Sequence, residues 1–188
     1  MKTKCFVFFW AMCLFSHLSA LEQYIGAWGG VAFARDKFDE YTIDFDLGPA
    51  GGILYGIQCP CRIRAEIEVS YRQNHMYSIR SNVSSLKISG HLKELAAMAN
   101  VLYDLPVCWR AVPYLGFGIG LEREDVDVKS AYFNKIESSD SSLTGQAIVG
   151  FLYHYSDLVS FFLSYRHYLF DHDIHSGALS IGFNYRLP

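Results

Sequence analysis

Apolar and polar residues alternate along several segments of this chain with the period of two that is typical of a half-buried β-strand. The clearest run extends from Ile63 to Arg72, where odd positions are apolar or aromatic and even positions are polar or charged. The same alternation recurs in residues 159–166, where only Phe162 departs from it, and in residues 179–187. No apolar stripe of helical period interrupts these runs over a comparable length. The pattern therefore predicts an all-β protein whose strands each have one apolar and one polar face.

Eight strands are predicted in total. In some of them glycines occupy the polar face, as Gly116, Gly118 and Gly120 do, which indicates a crowded interior filled by small side chains. The strands are expected at about 24–35, 50–58, 63–74, 92–105, 112–124, 144–155, 159–169 and 177–187, with ends that a sequence pattern defines only to within a few residues.

The connections between these strands alternate in length. The short ones are 59–62, 106–111 and 156–158, and the long polar ones are 36–49, 75–91 and 125–143, with 170–176 the shortest of its set. Outer-membrane barrels have an even number of antiparallel strands, short periplasmic turns and longer external loops. The sequence therefore predicts an eight-stranded antiparallel up-and-down transmembrane β-barrel with both termini in the periplasm.

The N-terminus indicates export. Lys2 and Lys4 precede an apolar run at 5–15, and a small-residue site ends at Ala20, which is typical of a signal peptide. The run is too short to cross a bilayer as a helix. We expect residues 1–20 to be a cleaved signal peptide and residues 21–188 to be the outer-membrane β-barrel domain.

Charge argues against one class of partner. The chain has sixteen Lys and Arg against nineteen Asp and Glu, and loss of Lys2 and Lys4 would leave a formal net charge of −5. Nucleic-acid binding needs a basic face, so no nucleic-acid partner is expected.

A bilayer decides which face of each strand points outward. Only a closed barrel satisfies the backbone of a strand in lipid without leaving an edge. The lipid-facing wall is therefore predicted to contain Ile63, Ile67, Val69, Phe161, Leu163, Ile181 and Phe183. Aromatic residues near strand ends fit the interfacial girdles of such barrels, with Tyr103, Trp109, Tyr155 and Tyr185 on the inner side and Phe33, Tyr71 and Tyr165 on the outer side.

The opposite faces of the strands place charge in the lumen. The predicted lumenal cluster is roughly balanced and consists of Arg64, Glu66, Glu68, Arg72, Asp104, Glu122, Arg166 and Arg186. Buried charges need partners, and an eight-stranded barrel is just wide enough for side chains to fill it. An interlocked plug is therefore favoured over an ion path, with a narrow pore as the alternative.

The C-terminal residues carry a resemblance to a known family. Ser180, Gly182, Tyr185 and Leu187 have the spacing of the terminal β-signal read by the outer-membrane assembly machinery. With these residues, and with the stretches 98–106 and 112–120, the chain resembles the small outer-membrane barrels of the OmpA-like and opacity-protein superfamily. It departs from that family in the residues Leu187-Pro188, where members often end in Phe, and no peptidoglycan-binding domain is expected after the barrel.

The resemblance implies a location and a role. The chain is expected to be a monomeric bacterial outer-membrane protein in contact with lipid, lipopolysaccharide and the assembly machinery. Its long loops are expected to present an adhesin-like or antigenic surface to a host or surface ligand. A soluble lipocalin-like carrier is the rival that would place the apolar residues inside.

Three cysteines remain after signal-peptide removal, Cys59, Cys61 and Cys108. Export permits disulfides. Because the turns that hold these residues are neighbours in the predicted topology, we expect a disulfide from Cys108 to Cys59 or Cys61, which leaves the other thiol to crosslink a partner. The alternative is three free or oxidised thiols with no role.

Other chemistry is less strongly indicated. The segment 171–175, with His75 and His91, contains metal-ligand residue types, but its spacing is not specific and a solvated loop is favoured, so no metal and no cofactor is predicted. A lipid A-modifying enzyme would use His with Ser and an acidic residue. His154-Tyr155-Ser156 has suitable residues but falls at the predicted periplasmic end, and His175-Ser176 lacks alternate spacing on one strand face. No enzyme is therefore predicted, and a lipid A-modifying outer-membrane enzyme is kept as an alternative function.

Overall fold

The computed structural model describes residues 21–38, 41–81, 85–107, 109–130, 133–169 and 174–188. These residues form nine β-strands, namely β1 Glu22–Phe38, β2 Tyr41–Phe45, β3 Gly48–Gln58, β4 Ile63–Ser81, β5 Ser85–Asp104, β6 Ala111–Ser130, β7 Phe133–His154, β8 Val159–Leu169 and β9 Ile174–Arg186. No helix among them is long and apolar enough to cross a membrane. The predicted signal peptide, residues 1–20, lies outside the described residues.

The strands close into a barrel. Neighbours pair antiparallel around the sheet, and β1 pairs with β9 from Tyr24 opposite Arg186 to Asp36 opposite Ile174. Strands β2 and β3 are two parts of one wall strand, because both lie between β1 and β4. Only Asp46 and the residue after it separate them, and the Asp46 N–H donates to a β4 carbonyl at 2.9 Å. The wall therefore has eight strands, which confirms the predicted fold class.

Three short connections lie at one end of the barrel, which we call the turn end. In the first, Arg62 N–H donates to the Cys59 carbonyl at 3.0 Å, and Arg62 has a positive φ of 69°. In the second, Leu105 N–H donates to the Pro113 carbonyl at 2.9 Å. The third is closed by Val159, whose carbonyl accepts from two N–H groups at 3.0 and 3.1 Å. In outer-membrane barrels such short turns face the periplasm.

The outward face of the wall is apolar. Ile67 and Ile181 are 65% and 66% exposed, whereas the inward neighbour Glu68 is fully buried. We call this outward surface the apolar band, which contains Ile25, Val31, Ile53, Ile63, Ile67, Val69, Leu95, Val101, Leu115, Phe117, Ile119, Leu121, Leu143, Val149, Phe151, Phe161, Leu163, Leu179, Ile181 and Phe183. All seven predicted lipid-facing residues belong to it. Because its apolar side chains point away from the interior, the lipocalin-like alternative is wrong.

Aromatic side chains border the apolar band. At the turn end Tyr103, Trp109, Tyr155 and Tyr185 are all exposed. At the opposite end Phe33 stacks on Tyr165 with ring centroids 6.0 Å apart, and Tyr71 is also exposed. These positions match the interfacial girdles expected for a membrane barrel.

Most residues of the predicted long loops belong to β-strands, so the predicted strand ends at these loops were wrong. Residues 36–49, 75–91 and 125–143 contain β2 and the far parts of β1, β4, β5, β6 and β7, which continue their ladders beyond the apolar band. We call these parts the extended hairpins: 36–45, 73–93 and 123–141. Their backbone pairing persists because a ladder needs only donors and acceptors, whereas the alternation used to place the strand ends depends on a lipid-facing side.

Phe162 is an apolar residue on the lumenal face of β8, where it is buried. Gly182 is its register partner on β9. A Cβ atom on Gly182 would lie 2.4 Å from the Phe162 ring and 2.5 Å from the Ala27 carbonyl oxygen. Glycine at this position therefore makes room for a large lumenal side chain.

Candidate functional site

The lumen contains three arginine-centred clusters, stacked along the barrel axis. The lower cluster lies nearest the turn end. Arg64 contacts Asp104 Oδ1 at 2.9 Å and Glu66 Oε1 at 3.2 Å, and its guanidinium lies 4.6 Å from the centre of the Tyr114 ring. Tyr24 OH donates to Glu66 Oε1 at 2.6 Å. This cluster therefore joins β1, β4, β5 and β6 across the lumen.

The middle cluster is centred on Arg166 of β8. Its Nη2 lies 3.2 Å from Glu68 Oε2, and its Nη1 donates to Ser180 Oγ at 2.6 Å and also to Ser164 Oγ. The guanidinium lies 4.4 Å from the centre of the Trp28 ring. Cation–π contact of this kind adds to the ion pair because the site is desolvated.

The upper cluster is centred on Arg72 of β4. Its Nε lies 3.2 Å from Glu94 Oε2, and Nη2 donates to Glu122 Oε1. The guanidinium lies 3.4 Å from the centre of the Tyr168 ring. Carboxylate oxygens of Glu94, Glu122 and Glu124 all lie within 4.8 Å of one another. Negative charge is therefore concentrated at the end of the lumen nearest the extended hairpins.

The structure brings seven of the eight predicted lumenal residues together. The eighth, Arg186, lies at the rim of the turn end, where it pairs with Glu22 at 2.9 Å and its side chain is 39% exposed. The predicted lumenal cluster did not include Glu94. Glu94 nevertheless lies on the inward face of β5, between the inward residues Leu92 and Ala96. With Glu94 inside and Arg186 at the rim, the buried charges among the described residues are three arginines and five carboxylates rather than a balanced set.

Apolar residues fill the rest of the lumen. The larger buried side chains of this kind are those of Tyr24, Trp28, Leu54, Leu92, Met98, Leu102, Tyr114, Ile148, Leu152, Phe162 and Tyr168. A void in the middle, bordered by Leu54, Tyr114 and Phe162, has a volume of about 10 Å³. Such a void holds about one water molecule. Sequence reasoning missed these residues because it assigned apolar side chains to the lipid face.

The predicted disulfide from Cys108 to Cys59 or Cys61 is wrong. Cys59 and Cys61 are joined to each other by a disulfide, with Cα atoms 5.1 Å apart. Neither sulfur is therefore available for the predicted bond to Cys108, which lies outside the described residues. The tight turn closed by Arg62 brings the two cysteines within bonding distance although one residue separates them.

The four residues of the predicted assembly signal lie on or next to β9. Ser180 is buried in the lumen, where its hydroxyl lies 2.8 Å from Ser164 Oγ. Gly182 faces Phe162, and Tyr185 points outward into the girdle at the turn end. Leu187 N–H donates to the Gln23 carbonyl at 2.8 Å, which extends the closing ladder. These residues therefore contribute to barrel closure as well as to any recognition signal.

The histidines fall in separate places. His75 and His91 face each other across β4 and β5, with ring centroids 4.0 Å apart and planes at 83°. Residues 171–173 of the predicted histidine-rich segment lie outside the described residues, and only the backbone of His175 is described, opposite Leu169 on β8. The structure does not describe a cluster that joins the two groups.

The residues considered for a lipid A-modifying enzyme do not form a His–Ser pair between His154 and Ser156. His154 Nδ1 lies 3.0 Å from Ser160 Oγ, while Ser156 Oγ accepts from the Val159 N–H at 3.1 Å. Both contacts are exposed and lie at the turn end. This end of an outer-membrane barrel faces the periplasm, away from the outer leaflet that contains lipid A.

Charge is divided among the extended hairpins. The hairpin of β4 and β5 has Arg80, Lys87 and Lys93 and no acidic residue between 73 and 93. Residues 36–45 have four acidic residues and one lysine, and residues 123–141 have five acidic residues, one arginine and two lysines. Because β2 pairs with β4 and β6 pairs with β5, the basic hairpin stands between two acidic ones.

Several solved outer-membrane proteins have the same fold. Neisserial surface protein A superposes with a TM-score of 0.66 at 21% identity, over 88% of this chain and 97% of that chain. Ail, the attachment invasion locus protein of Yersinia pestis, has a TM-score of 0.59 at 18% identity, over 88% and 99%. OprG of Pseudomonas aeruginosa has a TM-score of 0.58 at 14% identity, over 89% and 95%.

None of the curated protein sequences is detectably similar to the chain. The family model described as the outer membrane protein beta-barrel domain matches residues 8–186. This match spans nearly the whole sequence, and the apolar band, the closed ladder and the filled lumen agree with it. The chain belongs to the outer membrane protein beta-barrel family, and its place is the bacterial outer membrane.

Proposed function

We propose that this protein is a surface attachment protein that binds macromolecules outside the cell through its extended hairpins. The observation that carries the proposal is the continuation of the ladders beyond the apolar band, where β4 runs ten residues past Tyr71 to Ser81. At about 3.3 Å per residue, this part of the strand is about 33 Å long. In an outer-membrane barrel that end faces the exterior, so the hairpins offer side chains to molecules outside the cell.

The lumen supports a structural role for the barrel within this proposal. Each buried arginine has an acidic partner and an aromatic ring, and apolar side chains occupy the space between the three clusters. Such packing favours the interlocked plug over an ion path. If the plug is correct, planar-bilayer recordings will show no single-channel conductance, whereas stable channels would support the narrow pore.

The contact surface that we assign to the ligand is the basic hairpin, residues 73–93. Its three cations and absence of acidic residues suit a polyanion, and the acidic hairpins on either side disfavour binding of the same ligand there. One structure of Ail, which shares the fold, is a complex with the heparin analogue sucrose octasulfate. Heparin is therefore the first probe for the proposed surface.

Binding of cells that express the protein to immobilised heparin tests the proposal. Triple substitution of Arg80, Lys87 and Lys93 by Ala removes the positive charge of the basic hairpin and should abolish adhesion above background. The matched control replaces Arg123, Lys129 and Lys135 by Ala in the hairpin of β6 and β7 and should retain adhesion. Equal surface exposure of all proteins is checked by protease shaving.

The outcome separates the general proposal from the ligand. Loss of adhesion in both triple variants, or in neither, would exclude the basic hairpin as the contact surface. If wild-type cells do not adhere to heparin or to any panel of host matrix proteins and glycans, the attachment function itself is wrong. If both triple variants still adhere to a matrix protein, the attachment function is supported. The proposal that the ligand is a polyanion is then wrong.

We further propose a monomer whose apolar band is surrounded by outer-membrane lipid, with lipopolysaccharide in contact at the girdle of Phe33 and Tyr165. Recognition of Ser180, Gly182, Tyr185 and Leu187 by the assembly machinery belongs to the same proposal. Cross-linking in cells from position 185 should capture an assembly component during biogenesis. Absence of any adduct from that position would count against recognition of this segment.

A further inference from the structure

His75 and His91 form a cross-strand pair on the extended hairpin of β4 and β5. They are direct partners in the register, and the register shift between Met76 and Ser78 begins one rung farther along, after Met76 opposite Gly90. The centroids of their imidazole rings are 4.0 Å apart, and the rings are nearly perpendicular. The pair therefore lies one rung before the last regular rung of this part of the ladder.

Both imidazoles lie on the outward face, beyond the apolar band. His75 is four residues past Tyr71 on the same face of β4, about 13 Å farther along the strand at about 3.3 Å per residue. His75 is exposed and His91 is half-buried, whereas the side chains of Asn74 and Leu92 beside them point inward and are buried. Packing of a core does not account for two imidazoles that meet on a solvated surface.

The geometry is suited to a metal ion. Two imidazole nitrogens bound to one tetrahedral Zn²⁺ are about 3.3 Å apart, because each Zn–N bond is about 2.0–2.1 Å long. Rings whose centroids lie 4.0 Å apart reach that nitrogen separation by small rotations, which exposed side chains make freely. The backbone of Asp127 on β6 is opposite His91 in the register of β5 and β6.

We propose that His75 and His91 together bind one borderline divalent metal ion, Zn²⁺ or Cu²⁺, on the outer surface of the β4 and β5 hairpin. Imidazole suits both ions, and water completes their coordination at an exposed site. The bound ion links β4 to β5 at the rungs that precede the register shift. It would therefore fix the register of the hairpin that we assign to ligand contact.

Titration calorimetry of the untagged mature chain in detergent micelles with ZnCl₂ tests the site. We expect one Zn²⁺ per chain with micromolar affinity, and a loss of about tenfold or more in affinity for His75→Ala and for His91→Ala, because one remaining imidazole binds weakly. His154→Ala, which removes an exposed histidine at the turn end, is the matched control and should leave the affinity unchanged. The mobility shift of folded barrels on unheated gels verifies folding of each variant.

A second variant locates the ion independently. The His172→Ala, His175→Ala double variant removes the two histidines of the predicted histidine-rich segment. If that variant loses binding while His75→Ala and His91→Ala retain it, the site is elsewhere and the proposal is overturned. Absence of saturable Zn²⁺ and Cu²⁺ binding to the wild type overturns it as well.

The number of nitrogen ligands provides a readout that folding does not imitate. Electron paramagnetic resonance of the Cu²⁺ complex should show hyperfine coupling to two imidazole nitrogens in the wild type. Each single variant should show one coupled imidazole or no bound copper. Two coupled imidazoles in His75→Ala would contradict the assignment of this pair.

Discussion

The apolar band and the extended hairpins belong to the same strands but follow different side-chain rules. In the band, Ile67 points outward and Glu68 inward, so the two faces of β4 differ completely in polarity. In the hairpin of β6 and β7, Arg123 and Asp125 point outward and Glu124 faces the lumen side, so both faces are polar. The backbone ladder is continuous through both regions. Alternation of apolar and polar side chains therefore indicates the surroundings of each strand face. The strand itself requires only backbone hydrogen-bond pairing.

The same contrast applies to charge. Arg166 and Glu68 are almost completely buried, so each depends on the other for compensation. Arg123 and Asp125 form an ion pair at 3.5 Å with side chains 61% and 53% exposed, where water compensates either charge alone. Ion pairs of similar appearance should thus differ strongly in their effect on stability.

The largest expected effect breaks the middle lumenal cluster. Arg166→Ala leaves Glu68 buried without its ionic partner and should lower the free energy of unfolding by about 3–5 kcal/mol. Arg123→Ala, which removes the arginine of the exposed pair, should change it by less than about 1 kcal/mol. Urea unfolding of the barrels in lipid vesicles measures both. The double variant Arg166→Leu, Glu68→Leu should recover much of the loss, and equal losses for the two single variants would contradict the contrast.

The next effect tests the outward face. Ile67→Arg places a cation in the hydrocarbon region and should lower the free energy of unfolding by about 2–4 kcal/mol. Gln73→Arg changes the same face of the same strand beyond Tyr71 and should have an effect within about 0.5 kcal/mol. The same vesicle measurement applies. If Gln73→Arg is as destabilising as Ile67→Arg, the apolar band extends farther along β4 than the exposed side chains indicate.

A smaller effect concerns packing in the lumen, behind the apolar band. Gly182→Ala forces a Cβ atom against the Phe162 ring and the Ala27 carbonyl and should destabilise the refolded barrel by about 1–3 kcal/mol. Gly145→Ala is the control, because the nearest atoms to its Cβ would be 3.6 Å away. Comparison of refolding in vitro with assembly in cells separates packing from recognition. Normal stability of Gly182→Ala in vitro with failed assembly in cells would assign Gly182 to the assembly signal alone.

Sequence reasoning predicted the features that lipid imposes. The outward set from Ile63 to Phe183 follows from alternation, because each of those residues must face hydrocarbon if Arg64 and Glu68 face the lumen. The strand number and the turn end followed from the same pattern. Most of the lumenal charges were identified for the same reason, since they are the inward positions of strongly alternating strands.

The features that were missed lie where the alternation of apolar and polar residues is weak or where a local turn brings residues together. Glu94 lies on a strand whose inward face also contains Leu92, Met98 and Leu102, so alternation was weak there. The ends of β4 and β6 were placed too early because the strict alternation of apolar and polar residues does not continue into residues 75–81 and 125–130. The bond between Cys59 and Cys61 depends on the local turn, and spacing along the chain did not distinguish it from a bond to Cys108.

The smallest expected effect is removal of an extended hairpin. Replacement of residues 77–89 by a two-residue Asn-Gly turn shortens β4 and β5 just beyond the register pair of His75 and His91. The backbone hydrogen bonds lost there exchange with water, and shortening the connection favours closure slightly, so the free energy of unfolding should change by less than about 1 kcal/mol. Urea unfolding in vesicles measures the change, and the shift in gel mobility on heating checks that the barrel forms. A loss of more than about 2 kcal/mol in the free energy of unfolding would mean that the hairpin stabilises the barrel. Residues beyond the apolar band would then contribute to the stability of the membrane-spanning part.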